Sequence, residues 1–109
     1  MNKIETQMMR LLLDLTPSIH YTYMINICIP KVNKENLDKT LIFNVFKRLG
    51  LGVIKNITIH GNGCVFVQFI KWFESERNDA IQQKLLNGDN IYVIYDQEWG
   101  WFWKCCMVT

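Results

Sequence analysis

Apolar positions along this chain follow two periods, and the switches between them mark the elements. Residues 2 to 15 carry Ile4, Met8, Leu11, Leu12 and Leu15 at helical spacing, which predicts a short amphipathic helix. Pro17 disfavours helix at Thr16 and ends it there. From 22 to 30 the period shortens to two. Ile25, Ile27 and Ile29 alternate with Met24, Asn26 and Cys28, the pattern of a strand with one core face, and Pro30 closes it. Asn33 is placed to cap a helix running to about Leu49, with Gly50 as its terminator. Its apolar stripe is Leu37, Leu41, Ile42, Val45, Phe46 and Leu49. Residues 53 to 60 return to alternation, Val53, Ile57 and Ile59 against Asn56, Thr58 and His60. Gly61-Asn62-Gly63 reads as a tight hairpin, because these residue types tolerate positive φ. A third strand runs to about Ile70. A second helix covers about Glu74 to Leu86, with Ala80, Ile81 and Leu85 turned inward and Gly88 beyond its end. Residues 90 to 95 form a fourth strand.

Strand, helix, strand, hairpin, strand, helix, strand predicts an α+β fold. Right-handed crossovers put both helices on one face of a four-stranded antiparallel sheet in the order 4-1-3-2, a ferredoxin-like βαββαβ arrangement. The other face is left open as a binding surface. Residues 1–21 (helix and linker) and 97–109 (an aromatic extension) flank this unit at 22–96.

Length and composition narrow the picture. One domain is expected from 109 residues. A chain of this size buries somewhat over about 60% of its unfolded surface, enough for a core without disulfides or metal. Half the residues are apolar and 20% are charged, so the chain is globular rather than disordered. The net charge of +2 is too small to argue by itself for a nucleic-acid partner. The first fifteen residues contain Glu5, Arg10 and Asp14, and their longest apolar run is the three leucines 11 to 13. That is the pattern of neither a signal peptide nor a membrane span. The four cysteines (Cys28, Cys64, Cys105, Cys106) are therefore expected to be reduced and intracellular, and they form no CxxC or zinc spacing.

The chain resembles the RNA-recognition motif across about residues 22 to 96. That family's third-strand octamer reads basic-Gly-aromatic-Gly-aromatic-Val-x-aromatic. Here the stretch is Asn62-Gly63-Cys64-Val65-Phe66-Val67-Gln68-Phe69, matching at Gly63, Phe66, Val67 and Phe69. Asn62 stands in place of the basic residue and Cys64 in place of the first stacking aromatic. Asn26 stands where the first-strand hexamer offers its own aromatic. Family members stack two or three bases on these rings, each contributing about 1–3 kcal/mol. Of three usual platforms only Phe66 is present, a loss of roughly 2–6 kcal/mol on the same scale. The resemblance implies single-stranded nucleic acid as ligand: Phe66 stacks, Asn26 and Gln68 read polar edges, and Lys31, Lys71 and Lys104 hold phosphates. It also implies Asn26 opposite Phe66, and hence Cys28 opposite Cys64 on the open face. Opposed β-carbons lie about 4.5–5.5 Å apart, near the roughly 3.5–4.5 Å that a disulfide needs. Two small apolar residues under a lid is the plain reading of that pair, and a redox or metal role the sharper one.

The chain also resembles a group of uncharacterised small proteins from large DNA viruses of algae and protists. The resemblance rests on Ile-Cys-Ile-Pro-Lys at 27 to 31, Lys71-Trp72, Leu85-Leu86-x-Gly88, Ile94-Tyr95-Asp96 and Trp101-Phe102-Trp103-Lys104. It implies the same fold and a setting in a virus-infected cell or a virion.

Trp99, Trp101, Phe102 and Trp103 crowd five residues of the tail, with Gly100 free to turn. They are expected either to fold back as a lid or edge strand, or to form an exposed platform that anchors bases or a protein. The alternative function is thus a protein interface, between two copies or in a virion, using the sheet face, the N-terminal helix or Trp99, Trp101, Phe102 and Trp103. No nucleophile elbow, phosphate loop, HExxH or Ser/His/Asp arrangement is present. Glu74, Glu76 and Asp79 complement a helix dipole. Neither enzyme activity nor a cofactor is expected.

Overall fold

The computed structural model describes residues 24–108. The expected helix at 2 to 15 lies outside them. The described chain is α+β: five strands in one antiparallel sheet and two helices. In chain order these are β1 (Ile27–Ile29), α1 (Lys39–Leu49), β2 (Gly52–Ile59), β3 (Val65–Trp72), α2 (Glu76–Leu86), β4 (Ile91–Asp96) and β5 (Trp101–Met107). A 3-10 turn at Lys34–Asn36 precedes α1.

The sheet order is β2-β3-β1-β5-β4, which corrects the four-stranded 4-1-3-2 expectation. The place beside β1 is held not by β4 but by β5, the segment expected to be an extension. Asp96 makes the turn that allows this. Its Oδ1 accepts from the Glu98 and Trp99 amides, its carbonyl accepts from Gly100, and Gly100 adopts φ 72°. The chain therefore reverses after β4 and returns as an interior strand. Five residues of β5 pair with β4 before its last two reach β1, Cys106 opposite Cys28 and Met107 opposite Ile27.

One face of the sheet is the core. Ile27, Ile29, Val65, Val67, Val93, Trp103 and Cys105 are buried there beneath Ile42, Val45 and Phe46 of α1 and Leu85 of α2. Trp72 is buried where β3 ends, and its indole N–H donates to the Ile25 carbonyl at 2.7 Å. Trp103 stacks on Tyr95, with ring centroids 4.5 Å apart, and faces Phe46. Its indole nitrogen is buried and has no hydrogen-bond partner among the described residues.

Local differences from the sequence reading have local causes. Helix α1 starts at Lys39 rather than after Asn33, because Asp38 is the residue that caps it, accepting from the Thr40 amide. Asn33 starts only the 3-10 turn, without a side-chain cap. In β2, register irregularities between Val53 and Asn56 shift the alternation, so Val53 is exposed while Ile57 is buried. Gly52 permits the close approach there, since a β-carbon would collide with the Lys71 carbonyl. Helix α2 is capped by Ser75, and its buried residues are Asn78, Gln82 and Leu85, whereas Ala80 is exposed. Polar Asn78 faces inward because its amide bridges the Gly50 and Phe73 carbonyls. Arg77, beside it, donates to the Leu49 carbonyl at the C-terminal end of α1, where a cation complements the helix dipole.

Candidate functional site

The face of the sheet opposite the helices is covered by no described element. Cross-strand partners share a face, and alternate residues along a strand return to it. Phe66 lies between Thr58 of β2 and Cys28 of β1, and Cys28 lies opposite Cys106 of β5. Two and four residues before Cys106 stand Lys104 and Phe102, paired with Tyr92 and Ile94 of β4. The open face therefore runs from Thr58 and Phe66, through Cys28 and Cys106, to Lys104, Tyr92, Phe102 and Ile94.

Two aromatic stations lie on this path. Phe66 is half-buried, and the edge of His60 meets it at a centroid distance of 4.8 Å. Tyr92 and Phe102 are 59% and 54% exposed and meet edge to face at 5.2 Å. Lys104, directly across from Tyr92, is exposed beside the second station. Strands are about 4.8 Å apart and each residue advances about 3.4 Å, so the two stations are on the order of 15–20 Å apart. Gly63 fixes the turn beside Phe66. It has φ 87°, its carbonyl accepts from the Val32 amide at 2.9 Å, and a β-carbon there would press on the Val32 carbonyl.

The residues expected to act are only partly brought together. Gln68 is half-buried on the open face, opposite Asn56. Asn26 has its side-chain oxygen occupied by the Phe69 amide at 3.1 Å. Its first task is thus to hold β1 on β3 where the backbone ladder is interrupted. Lys31 follows β1 at the end of the sheet that also holds the Gly61–Gly63 turn and the Gln97–Gly100 turn. Lys71 is near the end of β3, at the opposite end of the sheet, so the three lysines do not form one rim. Of the four tail aromatics, Trp103 is buried in the core. Trp99 and Trp101 remain at the hairpin tip, 70% and 56% exposed.

The β1–β3 register also differs from the family-implied one. Cys28 is opposite Phe66, so Asn26 is not, and Cys64 is diagonal to Cys28 rather than facing it. The two sulfurs are nevertheless 3.6 Å apart. Burial, with the Cys64 and Cys106 side chains close by, pushes the Cys28 thiol up to about 12. Burial does the same to Cys105 on the core face.

Sequence reasoning missed Tyr92 and Phe102 as a pair. The available signal was alternation in the tail: Trp101, Trp103, Cys105 and Met107 on one side, Phe102, Lys104 and Cys106 on the other. No protein-family model, curated protein or solved structure matches the chain. Among the described residues no helix is long and apolar enough to cross a membrane.

Proposed function

We propose that this protein is a non-enzymatic module that binds single-stranded nucleic acid, RNA foremost, across the open face of its sheet. The observation that carries the reading is the pair of aromatic stations on that face, Phe66 and Tyr92/Phe102, with Lys104 beside the second. Bases stack on exposed rings at about 1–3 kcal/mol each, and every base offers a π-face. Tyr92 and Phe102 replace the stacking surface lost where Asn26 and Cys64 stand. Phe66, with Gln68 beside it, keeps the role that the RNA-recognition-motif resemblance implies. The central β1–β3 pair, with β1–α1–β2 crossing over it, supports a distant version of that fold, extended by β5. The charge contribution is small: Lys104 and Lys31 provide local phosphate contacts rather than a basic surface. The resemblance to proteins of large DNA viruses sets the module in an infected cell or a virion.

Fluorescence anisotropy with mixed-sequence single-stranded RNA and DNA oligomers tests this reading. Micromolar or tighter binding that weakens in Phe66→Ala and in Phe102→Ala supports it. Binding unaffected by both substitutions, or no binding at low salt, sinks it.

A second reading rests on the hairpin tip. Ile94, Trp99, Trp101 and Phe102 are exposed on the β4–β5 hairpin, whose β4 is an edge strand of the sheet among the described residues, and apolar surface beside a sheet edge suits a protein partner or a second copy of the chain. A dimer in light scattering that Trp101→Ala or removal of residues 1 to 16 breaks would favour this reading. A monomer insensitive to both would count against it.

A further inference from the structure

Three of the four cysteines meet on the open face, and nucleic-acid binding as proposed uses none of them. Cys28 is the middle member. Cys64 Sγ is 3.6 Å from its sulfur on the β3 side. On the β5 side Cys106 stands directly opposite in register. All three are half-buried, so a small molecule can reach them, whereas Cys105 is buried on the other face.

Three sulfurs in a row suit either a soft metal or thiol–disulfide chemistry. Among the described residues no group of three or more His, Cys, Asp or Glu is arranged to hold a metal ion. We propose that Cys28 and Cys64 form a reversible disulfide by exchange with a low-molecular-weight disulfide of the glutathione class.

The exchange balances in two steps. Cys64 loses its thiol proton, and its thiolate attacks one sulfur of the small disulfide. That S–S bond breaks, and the departing small thiolate takes up a proton. Cys28 then loses its proton and attacks the Cys64 sulfur, and the second small thiolate leaves and is protonated in turn. Two protein thiols are oxidised to one disulfide, and the small disulfide is reduced to two thiols. The order follows from environment. The burial that keeps Cys28 protonated makes it a slow first attacker. It acts second, when a mixed disulfide has already been placed within its reach.

The geometry also makes the bond easy to reverse. The sulfurs must close from 3.6 Å to about 2.05 Å. A diagonal cross-strand pair has α-carbons about 7–8 Å apart, beyond the roughly 4.4–6.8 Å of an unstrained disulfide, so the bond forms only with a shift of the backbone. Cys64 sits just before β3, its amide bonded to the Asn62 side chain and its carbonyl accepting from the His60 amide, so closing the bond strains these contacts. A bond formed under such tension is readily reduced, the property of a regulatory rather than a structural disulfide.

The test is incubation of the full chain with oxidised glutathione, acid trapping, intact mass spectrometry and non-reducing peptide mapping. The expected product is a monomer lighter by two hydrogens, with the Cys28 and Cys64 peptides linked and dithiothreitol restoring both thiols. Cys106→Ser keeps that link, and Cys28→Ser yields only mixed disulfides with glutathione. The proposal is overturned if the wild-type chain accumulates mixed disulfides without a link, links two chains, or pairs any other cysteines. None of these readouts depends on nucleic-acid binding, so failure here leaves the binding proposal to its own test.

Discussion

The two tryptophans of the core are held in contrasting ways, and the contrast separates the two halves of the sheet. Trp72 closes β3 in the β2-β3-β1 half, and its N–H is satisfied by the Ile25 carbonyl. Trp103 lies in the β4–β5 hairpin, stacked between Tyr95 and the direction of Phe46, with its N–H unpartnered among the described residues. The first half is joined along eight-residue strands, paired over nearly their whole length with irregularities between Val53 and Asn56. The second is joined to the first through the last residues of β5 and the Val108 amide on the Asn26 carbonyl. Its attachment therefore depends on side-chain burial more than on backbone pairing. The lesson is that the aromatic crowding at 99–103 serves two ends: Trp103 anchors the hairpin, which frees Phe102, Trp99 and Trp101 for the surface.

Substitutions can break this comparison, beginning with the largest effect. Trp103→Ala should cost about 3–5 kcal/mol in chemical denaturation, the usual range for emptying a buried tryptophan site. A loss below about 1 kcal/mol would mean the hairpin is held by something other than this ring. A sharper comparison uses phenylalanine at both sites. Trp72→Phe leaves the Ile25 carbonyl without its donor, whereas Trp103→Phe removes a donor that has no acceptor. Trp72→Phe should therefore be the more destabilising of the two by about 1–3 kcal/mol, and equal losses would erase the distinction. On the binding side, Phe102→Ala should weaken single-stranded RNA binding by about 1–3 kcal/mol while unfolding at nearly the wild-type denaturant concentration. Lys104→Ala should have the smallest effect, lowering the dependence of log K on log salt by the contribution of about one phosphate contact.

Titration with alkali reaches the thiols of both faces. Cys28 and Cys105 have their folded values raised from an ordinary 9.0 to about 12. The unfolded chain thus loses these protons first. Their contribution is full below about pH 9 and declines as pH rises from there towards about 12, because ionisation favours the unfolded state. Denaturation midpoints measured between pH 8 and 11 should fall, and less steeply in Cys105→Ala, which removes the more deeply buried of the two.

Much of the α+β character was legible because single residues carried it. Alternation at Ile25, Ile27 and Ile29 marked the first strand, and Gly50 and Gly63 marked two turns that the backbone confirms. The fifth strand was legible only as one of two readings of the tail, a lid or edge strand against an exposed platform, for a physical reason. Both of its faces carry large apolar side chains, Trp101 and Trp103 on one and Phe102 on the other, so its alternation is weaker than that of a half-buried strand. Its turn has one glycine, Gly100, and takes its shape from Asp96, whose capping of Glu98 and Trp99 is a side-chain effect. Asn26 shows the same limit at the candidate site. Its position suggested an exposed polar reader, whereas its side chain replaces a backbone hydrogen bond to Phe69. At Cys28 and Cys64 proximity survived a change of register, because a diagonal pair on one face still meets through its side chains.

The central claim, a nucleic-acid surface spanning both halves of the sheet, is tested most directly by amide chemical-shift mapping with a short single-stranded RNA. The account predicts shifts at Phe66 and Gln68 and also at Tyr92, Phe102 and Lys104, with the outer faces of α1 and α2 unmoved. Shifts confined to the helices, or no shifts at millimolar RNA, would contradict it.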